Sequence, residues 1–246
     1  MDIFFACDLD NTLIYSYKKK EDGYICVEIN KNMEQGFMTQ YVYNNFIAMT
    51  KKVRFIPVTT RSVEQYNRIH FPHGYIPEYA LASNGATLIH NGTITNDWNL
   101  IERSDSLANQ LKEVYSRYKD DKRFTNCRII DESYVYVYCA DDTDAEKTAI
   151  ELAEAVDMTI ELSGKKIYFF PENLNKGNAV KKLNDIIRSD IIISAGDSSM
   201  DCTMLDIADK AVVPDDFDMS LLKNKCFVKS TDKIFSDFLI NYILDK

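Results

Sequence analysis

The sequence predicts an α/β protein: a doubly wound parallel sheet whose chain is interrupted by an inserted α+β domain. Two patterns carry this reading. Near both ends, short apolar runs with strand propensity alternate with helix-length segments, as strands buried on both faces require. In between, hairpin signals replace the alternation, as in an antiparallel sheet with helices on one face. The expected division is a core of residues 1–82 and 172–246 and an insert of 83–171, which suits a chain of 246 residues.

The elements follow in order. Ile3-Phe4-Phe5-Ala6-Cys7 is a continuous apolar run ending in Asp8-Leu9-Asp10-Asn11-Thr12. Residues 22–40 read as a hairpin or flap, with Tyr24-Ile25-Cys26-Val27 as one arm. A helix is expected over 41–52, a second buried strand over 53–58, and a further helix opened by the capping box Ser62-x-x-Gln65. Residues 79–82 complete the first half as a third core strand. Within the insert, Asn91-Gly92 marks a hairpin between 86–90 and 93–95. Leu107, Leu111, Val114, Tyr115 and Tyr118 share one helix face. Strands are expected over 123–130 and 134–139, and the alternating Tyr134, Tyr136 and Tyr138 read as a sheet face rather than a ligand platform. Thr143-x-x-Glu146 predicts a helix cap, and strands over 158–162 and 166–170 close the insert. The alternation then resumes with helix 176–188, strand 191–193, helix 199–208, strand 211–213 and a terminal helix over 231–243.

Composition narrows the function. Thirty-eight acidic against 29 basic side chains leave a net charge of −9, which argues against nucleic acid or an anionic membrane as the main partner. Lys18-Lys19-Lys20 is the one basic run and reads as a solvated loop. No apolar stretch has the length of a membrane span, and the expected location is cytoplasmic. The cysteines at 7, 26, 127, 139, 202 and 226 contain no CxxC pair and read as reduced and structural. His70, His73 and His90 lack metal-ligand spacing.

Ligands of open parallel sheets bind at the carboxyl ends of the strands. Polar clusters fall at those ends: Asp8/Asp10/Thr12, Thr59/Thr60/Arg61, Ser83/Asn84 and Asp197/Ser198/Asp201, with Asn175-Lys176-Gly177 opening a helix. Each alone is an ordinary helix cap or a solvated turn. Their convergence on one sheet edge is not. Asp8 and Asp10 leave one strand end on the same side, and Asp197 and Asp201 add oxygens that suit Mg²⁺. Thr59 and Lys176 can hold an anion beside that metal. Carboxylates, Mg²⁺, an ammonium and a hydroxyl around one point describe phosphoryl transfer, in which an Asp can be the nucleophile.

These motifs resemble a known family. Asp8-Leu9-Asp10-Asn11-Thr12, Val58-Thr59-Thr60-Arg61, Lys176-Gly177 and Gly196-Asp197-Ser198-Ser199-Met200-Asp201 are similar, in order, to the four motifs of the haloacid dehalogenase-like hydrolases. Ser83-Asn84-Gly85-Ala86 and Phe170-Pro171-x-x-x-Asn175-Lys176-Gly177 resemble the flanks of the large α/β cap in Cof-type, sucrose-phosphate and trehalose-phosphate phosphatases. The resemblance implies a Rossmann-like core with an inserted α+β cap, and a Mg²⁺-dependent phosphatase acting on a small phosphate ester such as a sugar phosphate. It implies Asp8 as nucleophile and Asp10 as general acid and base. Thr59, Thr60 and Lys176 would bind phosphate, and Arg61 and Asn84 would lie on the substrate side. Asp8, Asp10 (through its backbone carbonyl), Asp197 and Asp201 would surround the metal. Thr60 stands where relatives usually carry Gly, Met200 where they usually carry Asn, and the segment 13–40 is longer than in Cof-type relatives. A phosphomutase and a catalytically idle binding module are the alternatives. Arg128, Lys165 and Lys166 are basic candidates for substrate contact in the cap, which is expected to move as a lid hinged at 83–85 and 171–175.

Overall fold

The computed structural model describes residues 1–223 and 226–246. Its central sheet has five parallel strands in the order Phe227–Lys229, Lys210–Val213, Ile191–Ala195, Ile3–Cys7 and Arg54–Pro57. Ile3–Cys7 lies inside the sheet and all five of its residues are buried. That is why the run is apolar without alternation. Helices Gln40–Thr50 and Phe235–Leu244 cover one face, while Lys176–Ile187 covers the other through Ala179, Val180 and Leu183. Thr39 caps the first of these, its hydroxyl accepting from the Val42 amide at 3.0 Å, and Asn175 caps the third.

Tyr79–Ala82 corrects one expectation. It packs on the core through Leu81, beside Ile56 and Val58, but among the described residues its ladder to the core sheet is a single parallel bridge between Val58 and Leu81, with the Thr59 amide donating to the Leu81 carbonyl at 2.9 Å. Its full ladder is antiparallel, to Thr87–His90, which turns through Asn91-Gly92 into Thr93–Ile94. Both turn residues have positive φ, 48° and 77°, as the Asn-Gly signal demands. Leu88 and Trp98 of this segment pack with Phe4, Ala6 and Leu183, so its apolar contacts belong to the core.

The rest of the insert builds its own antiparallel sheet in the order Thr159–Ser163, Lys166–Phe170, Tyr134–Cys139, Phe124–Ile130. Val135, Val137, Ile167 and Phe169 point to helices Asp105–Tyr118 and Ala145–Ala155, with Tyr118 stacked on Phe169 at 5.5 Å between ring centroids. The other face carries Tyr134, Tyr136 and Tyr168. The helix over 145–155 is capped by Asp144, which accepts from the Lys147 amide at 3.0 Å. Thr143 instead donates its hydroxyl to the Arg123 carbonyl at 3.0 Å, so the cap falls one residue later than the motif suggests.

The segment before the first core helix forms a three-stranded antiparallel sheet of Tyr15–Ser16, Met33–Met38 and Ile25–Asn30. It is sewn to the core by the His70 amide, which donates to the Val27 carbonyl at 2.7 Å. The Ser62/Gln65 capping box forms in both directions, at 3.2 and 3.0 Å. The expected helix over 199–208 is shorter: a 3-10 turn, Ser199–Asp201, leads into Cys202–Asp206. No helix among the described residues is long and apolar enough to cross a membrane.

Candidate active site

The carboxyl ends of Ile3–Cys7 and Ile191–Ala195 lie side by side, joined by the Asp8 amide to the Ala195 carbonyl at 2.9 Å. Asp8 and the loop around Asp197 therefore face one another. Lys176, the first residue of its helix and 2% exposed, reaches into this space. Its ammonium donates to Asp8 Oδ1 and to Asp201 Oδ1, both at 2.6 Å. Asp201 Oδ2 accepts from the amides of Asp197 and Ser198 and from the Ser198 hydroxyl, each at 3.0 Å. Gly196 permits this close turn, since a Cβ there would stand 2.4 Å from the Asp201 Cβ. Thr12 donates its hydroxyl to Asp197 Oδ1 at 3.4 Å.

Asp8, Asp197 and Asp201 each place a carboxylate oxygen within 4.8 Å of the others. Three acids thus share one buried ammonium. Burial pushes Asp8 well above the usual carboxylate range, Asp201 and Asp197 add to the shift, and Lys176 offsets only part of it. Asp197 is pushed up to about 7, first by burial and then by Asp201. Burial would discharge Lys176, but Asp201 and Asp8 outweigh it and keep the ammonium protonated. The site lacks positive charge. Its donors are all oxygen, and the second oxygen of Asp8 accepts no hydrogen bond among the described residues. A hard divalent cation fits such a set. Asp201 is the poorest ligand of the three, because both of its oxygens are already engaged.

Asp10 faces a different environment. Arg61 grips it along one edge, Nε to Oδ2 at 2.9 Å and Nη2 to Oδ1 at 2.7 Å. Burial alone would raise Asp10, but Arg61 outweighs it and holds the carboxyl below the usual range. The remaining Nη1 of Arg61 donates to Glu28 Oε2 at 2.7 Å, and Arg68 Nε donates to Glu28 Oε1 at 3.2 Å.

Two adjoining cavities meet at Asp10. One, of about 260 Å³, holds Asp8, Lys176, Asp197 and Met200. The other, of about 230 Å³, is walled by Glu28, Arg61, Arg68, Tyr134 and Tyr136. Thr60, Lys166 and Tyr168 line both.

The structure gathers most of the expected residues and separates a few. Thr59 is buried, and its hydroxyl accepts from the Arg61 amide at 3.1 Å. Asn84 lies away from both cavities: buried at φ 58°, it donates to the Leu174 carbonyl at 3.3 Å, where the chain enters and leaves the insert. Arg61 meets two carboxylates rather than open cavity alone. Lys166 reaches the site, Lys165 pairs with Asp141 at 2.6 Å instead, and Arg128 lines neither cavity. Glu28, Arg68 and the three tyrosines were not expected there. The tyrosine stripe is indeed a sheet face, and two of its members, Tyr134 and Tyr136, also wall the cleft.

The insert is fastened to the core beside the site. Asp131 accepts from the Val63 amide at 2.8 Å and from the Ser83 hydroxyl, while the Tyr134 hydroxyl donates to the Thr60 carbonyl at 2.5 Å.

Comparison with known proteins agrees with this arrangement. The family model described as haloacid dehalogenase-like hydrolase matches residues 99–232, more than half of the chain. The chain belongs to that family and is a hydrolase. The matched stretch contains Lys176, Asp197 and Asp201, and the fold brings Asp8 and Asp10 to them. Among solved structures, a sucrose-phosphatase from Synechocystis sp., in complex with sucrose and phosphate, aligns at 12% identity and TM-score 0.62 over 98% of this chain and 97% of that one. A haloacid dehalogenase-like hydrolase from B. subtilis aligns at 15% identity and TM-score 0.64, over 98% and 99%. A trehalose-6-phosphate phosphatase from Aspergillus fumigatus aligns at 15% identity and TM-score 0.54, over 100% and 93%. At such identities the likeness is one of fold. No curated protein matches the sequence.

Proposed function

We propose that the chain is a Mg²⁺-dependent phosphatase that hydrolyses a small phosphorylated metabolite, such as a sugar phosphate, through an aspartyl-phosphate at Asp8. The observation that carries this reading is the Lys176 ammonium held between Asp8 and Asp201, with Asp197 beside them and Asp10 at the mouth. Asp8 and Asp197, with the backbone carbonyl of Asp10, would hold the metal, and Asp201 would orient Lys176 and the loop of Asp197. When bound, Mg²⁺ supplies the positive charge that three carboxylates and a phosphoryl group together require.

In the first step an Asp8 oxygen attacks phosphorus in line. A phosphorus–oxygen bond to Asp8 forms, the bond to the leaving oxygen breaks, and Asp10 delivers a proton to that oxygen. In the second, Asp10 takes the proton back from a water that attacks the same phosphorus, and Asp8 is released with inorganic phosphate. Lys176 neutralises charge on the nucleophile throughout. Thr59, whose hydroxyl proton is unspent, and Thr60, on the cavity wall, would donate to phosphoryl oxygens. Each Asp10 oxygen accepts one bond from Arg61 and keeps a second lone pair, on which the proton would be carried.

We further propose that residues 83–171 act as the cap, with its independent packing beginning near Ile101, and that Tyr134, Tyr136, Lys166 and Tyr168 meet the non-phosphate part of the substrate. The free thiols of Cys7, Cys26, Cys127, Cys139 and Cys202 fit a reducing compartment such as the cytoplasm. Phosphate release from a panel of phosphorylated metabolites, with and without Mg²⁺, tests the reading. Metal-dependent release from at least one small ester is expected. No release from any ester would end it.

A further inference from the structure

We infer that Glu28, in the strand Ile25–Asn30 that precedes the first core helix, is a positioning residue for Asp10 and acts through Arg61. The inference rests on the phosphatase reading above, in which Asp10 moves the proton.

Glu28 is 4% exposed, a costly place for a carboxylate unless it is fully partnered. Its partners are Arg61 and Arg68, one on each oxygen. Arg61 spends its Nε–Nη2 edge on Asp10 and its Nη1 on Glu28, and a planar guanidinium held on two sides has its plane fixed. A fixed plane presents the two Asp10 oxygens in one orientation.

The local fold is built for this. Glu28 sits between two register shifts in its pairing with Met33–Met38, which re-aims its side chain. Gly36 lies opposite, and a Cβ there would come within 2.9 Å of Glu28 Oε2. The backbone of Glu28 is bridged to Ile69, so the carboxylate is anchored next to the turn that carries Arg68.

The test compares two substrates of different leaving-group quality. Glu28→Gln keeps the volume and loses the charge. Glu28→Asp keeps the charge and shortens the reach. Partners that orient a reacting group are worth roughly 10- to 100-fold in activity, and a loss of that size in kcat is expected for Glu28→Gln on an alkyl phosphate. The loss on p-nitrophenyl phosphate, whose leaving group needs little protonation, should be smaller by at least about tenfold. KM should change little for either ester. The double variant Glu28→Gln/Arg61→Ala should be no slower than Arg61→Ala alone, because Glu28 acts through Arg61. Equal losses on the two esters, additive losses in the double variant, or unchanged kcat in a folded Glu28→Gln would each overturn the inference. So would failure of both single variants to fold, shown by their thermal unfolding, since Glu28 would then be a folding residue. Absence of activity in the unaltered chain would instead remove the phosphatase reading, and this inference with it.

Discussion

Asp8 and Asp10 leave the same strand two residues apart and arrive in opposite surroundings. Asp8 is buried against Lys176 with Asp197 and Asp201 beside it, and its carboxyl is driven up. Asp10 is half exposed at the junction of two cavities, gripped by Arg61, and its carboxyl is held down. The floor of the site carries too much negative charge and the rim is balanced: Arg61 and Arg68 face Asp10 and Glu28. One strand end can thus supply two chemically distinct carboxylates, because neighbours rather than residue type set what each can do. On the proposed reading the floor would bind a cation and phosphate, and Asp10 at the rim would carry the proton.

The contrast between floor and rim is most exposed to test at Asp8. Asp8→Asn keeps the shape and removes the nucleophilic charge, so turnover of every ester should fall by about 10³-fold or more while the fold survives. Retention of a tenth of the activity, measured as phosphate release, would sink the assignment. Asp10→Asn should cost about 10²–10⁴-fold on alkyl phosphates, the range of general acid–base catalysis, and less on p-nitrophenyl phosphate. Equal losses on both would remove the acid role.

The floor can also be read without turnover. With Asp197 raised to about 7, the folded chain keeps a proton that the unfolded chain has already released above the ordinary carboxylate value. Metal-free stability should therefore fall as pH rises from about 4 to about 7, and Asp8 acts in the same direction. A tenfold difference in proton affinity between the folded and unfolded chain is worth about 1.4 kcal/mol, and each kcal/mol is about 2–4 °C of Tm in a chain of this size. Mg²⁺ should reverse the trend, stabilising most at high pH, where the acids are ionised. Thermal melts across pH with and without Mg²⁺ check this, and a flat metal-free profile would contradict it.

The smallest effect concerns the joint between insert and core. Asp131 and Tyr134 fasten the insert to the core at Val63 and Thr60, and Asp131 also holds Ser83 at the first crossing. Asp131→Ala removes two of those contacts, each worth about 1 kcal/mol, and should raise hydrogen exchange over 83–85 and 171–175 while leaving the Asp8 floor protected. Unchanged exchange at both crossings would show that other contacts hold the insert.

How much of this could be read from the chain alone varies with the distance over which the deciding contact acts. The five-residue apolar strand and the box at Ser62 and Gln65 are local, and so is the Asn-Gly turn. All were legible. The grouping of Asp8, Lys176, Asp197 and Asp201 was legible because parallel strands end on one edge. The cap at Asp144 was missed by one residue because Thr143 and Asp144 are both good caps, and only the tertiary bond from Thr143 to Arg123 separates them. Phe227–Lys229 is a three-residue edge strand, too short to show a period. Glu28 was invisible because its partners are 33 and 40 positions away. The lone acid amid Ile25, Cys26, Val27 and Ile29 was its one local signal. Asp201 could be placed at the site but not given its task, since its engagement by Lys176 and by two amides depends on the turn at Gly196.

The proposed chemistry turns on phosphate being carried covalently on Asp8. Asp10→Asn slows the release of that intermediate, so the variant mixed with Mg²⁺ and p-nitrophenyl phosphate and quenched in acid should accumulate it. Mass spectrometry of the digested protein should find one phosphoryl group on the peptide containing Asp8, absent without Mg²⁺ and absent in Asp8→Asn/Asp10→Asn. A phosphoryl group on another residue, or none in a variant that still turns over, would contradict the account.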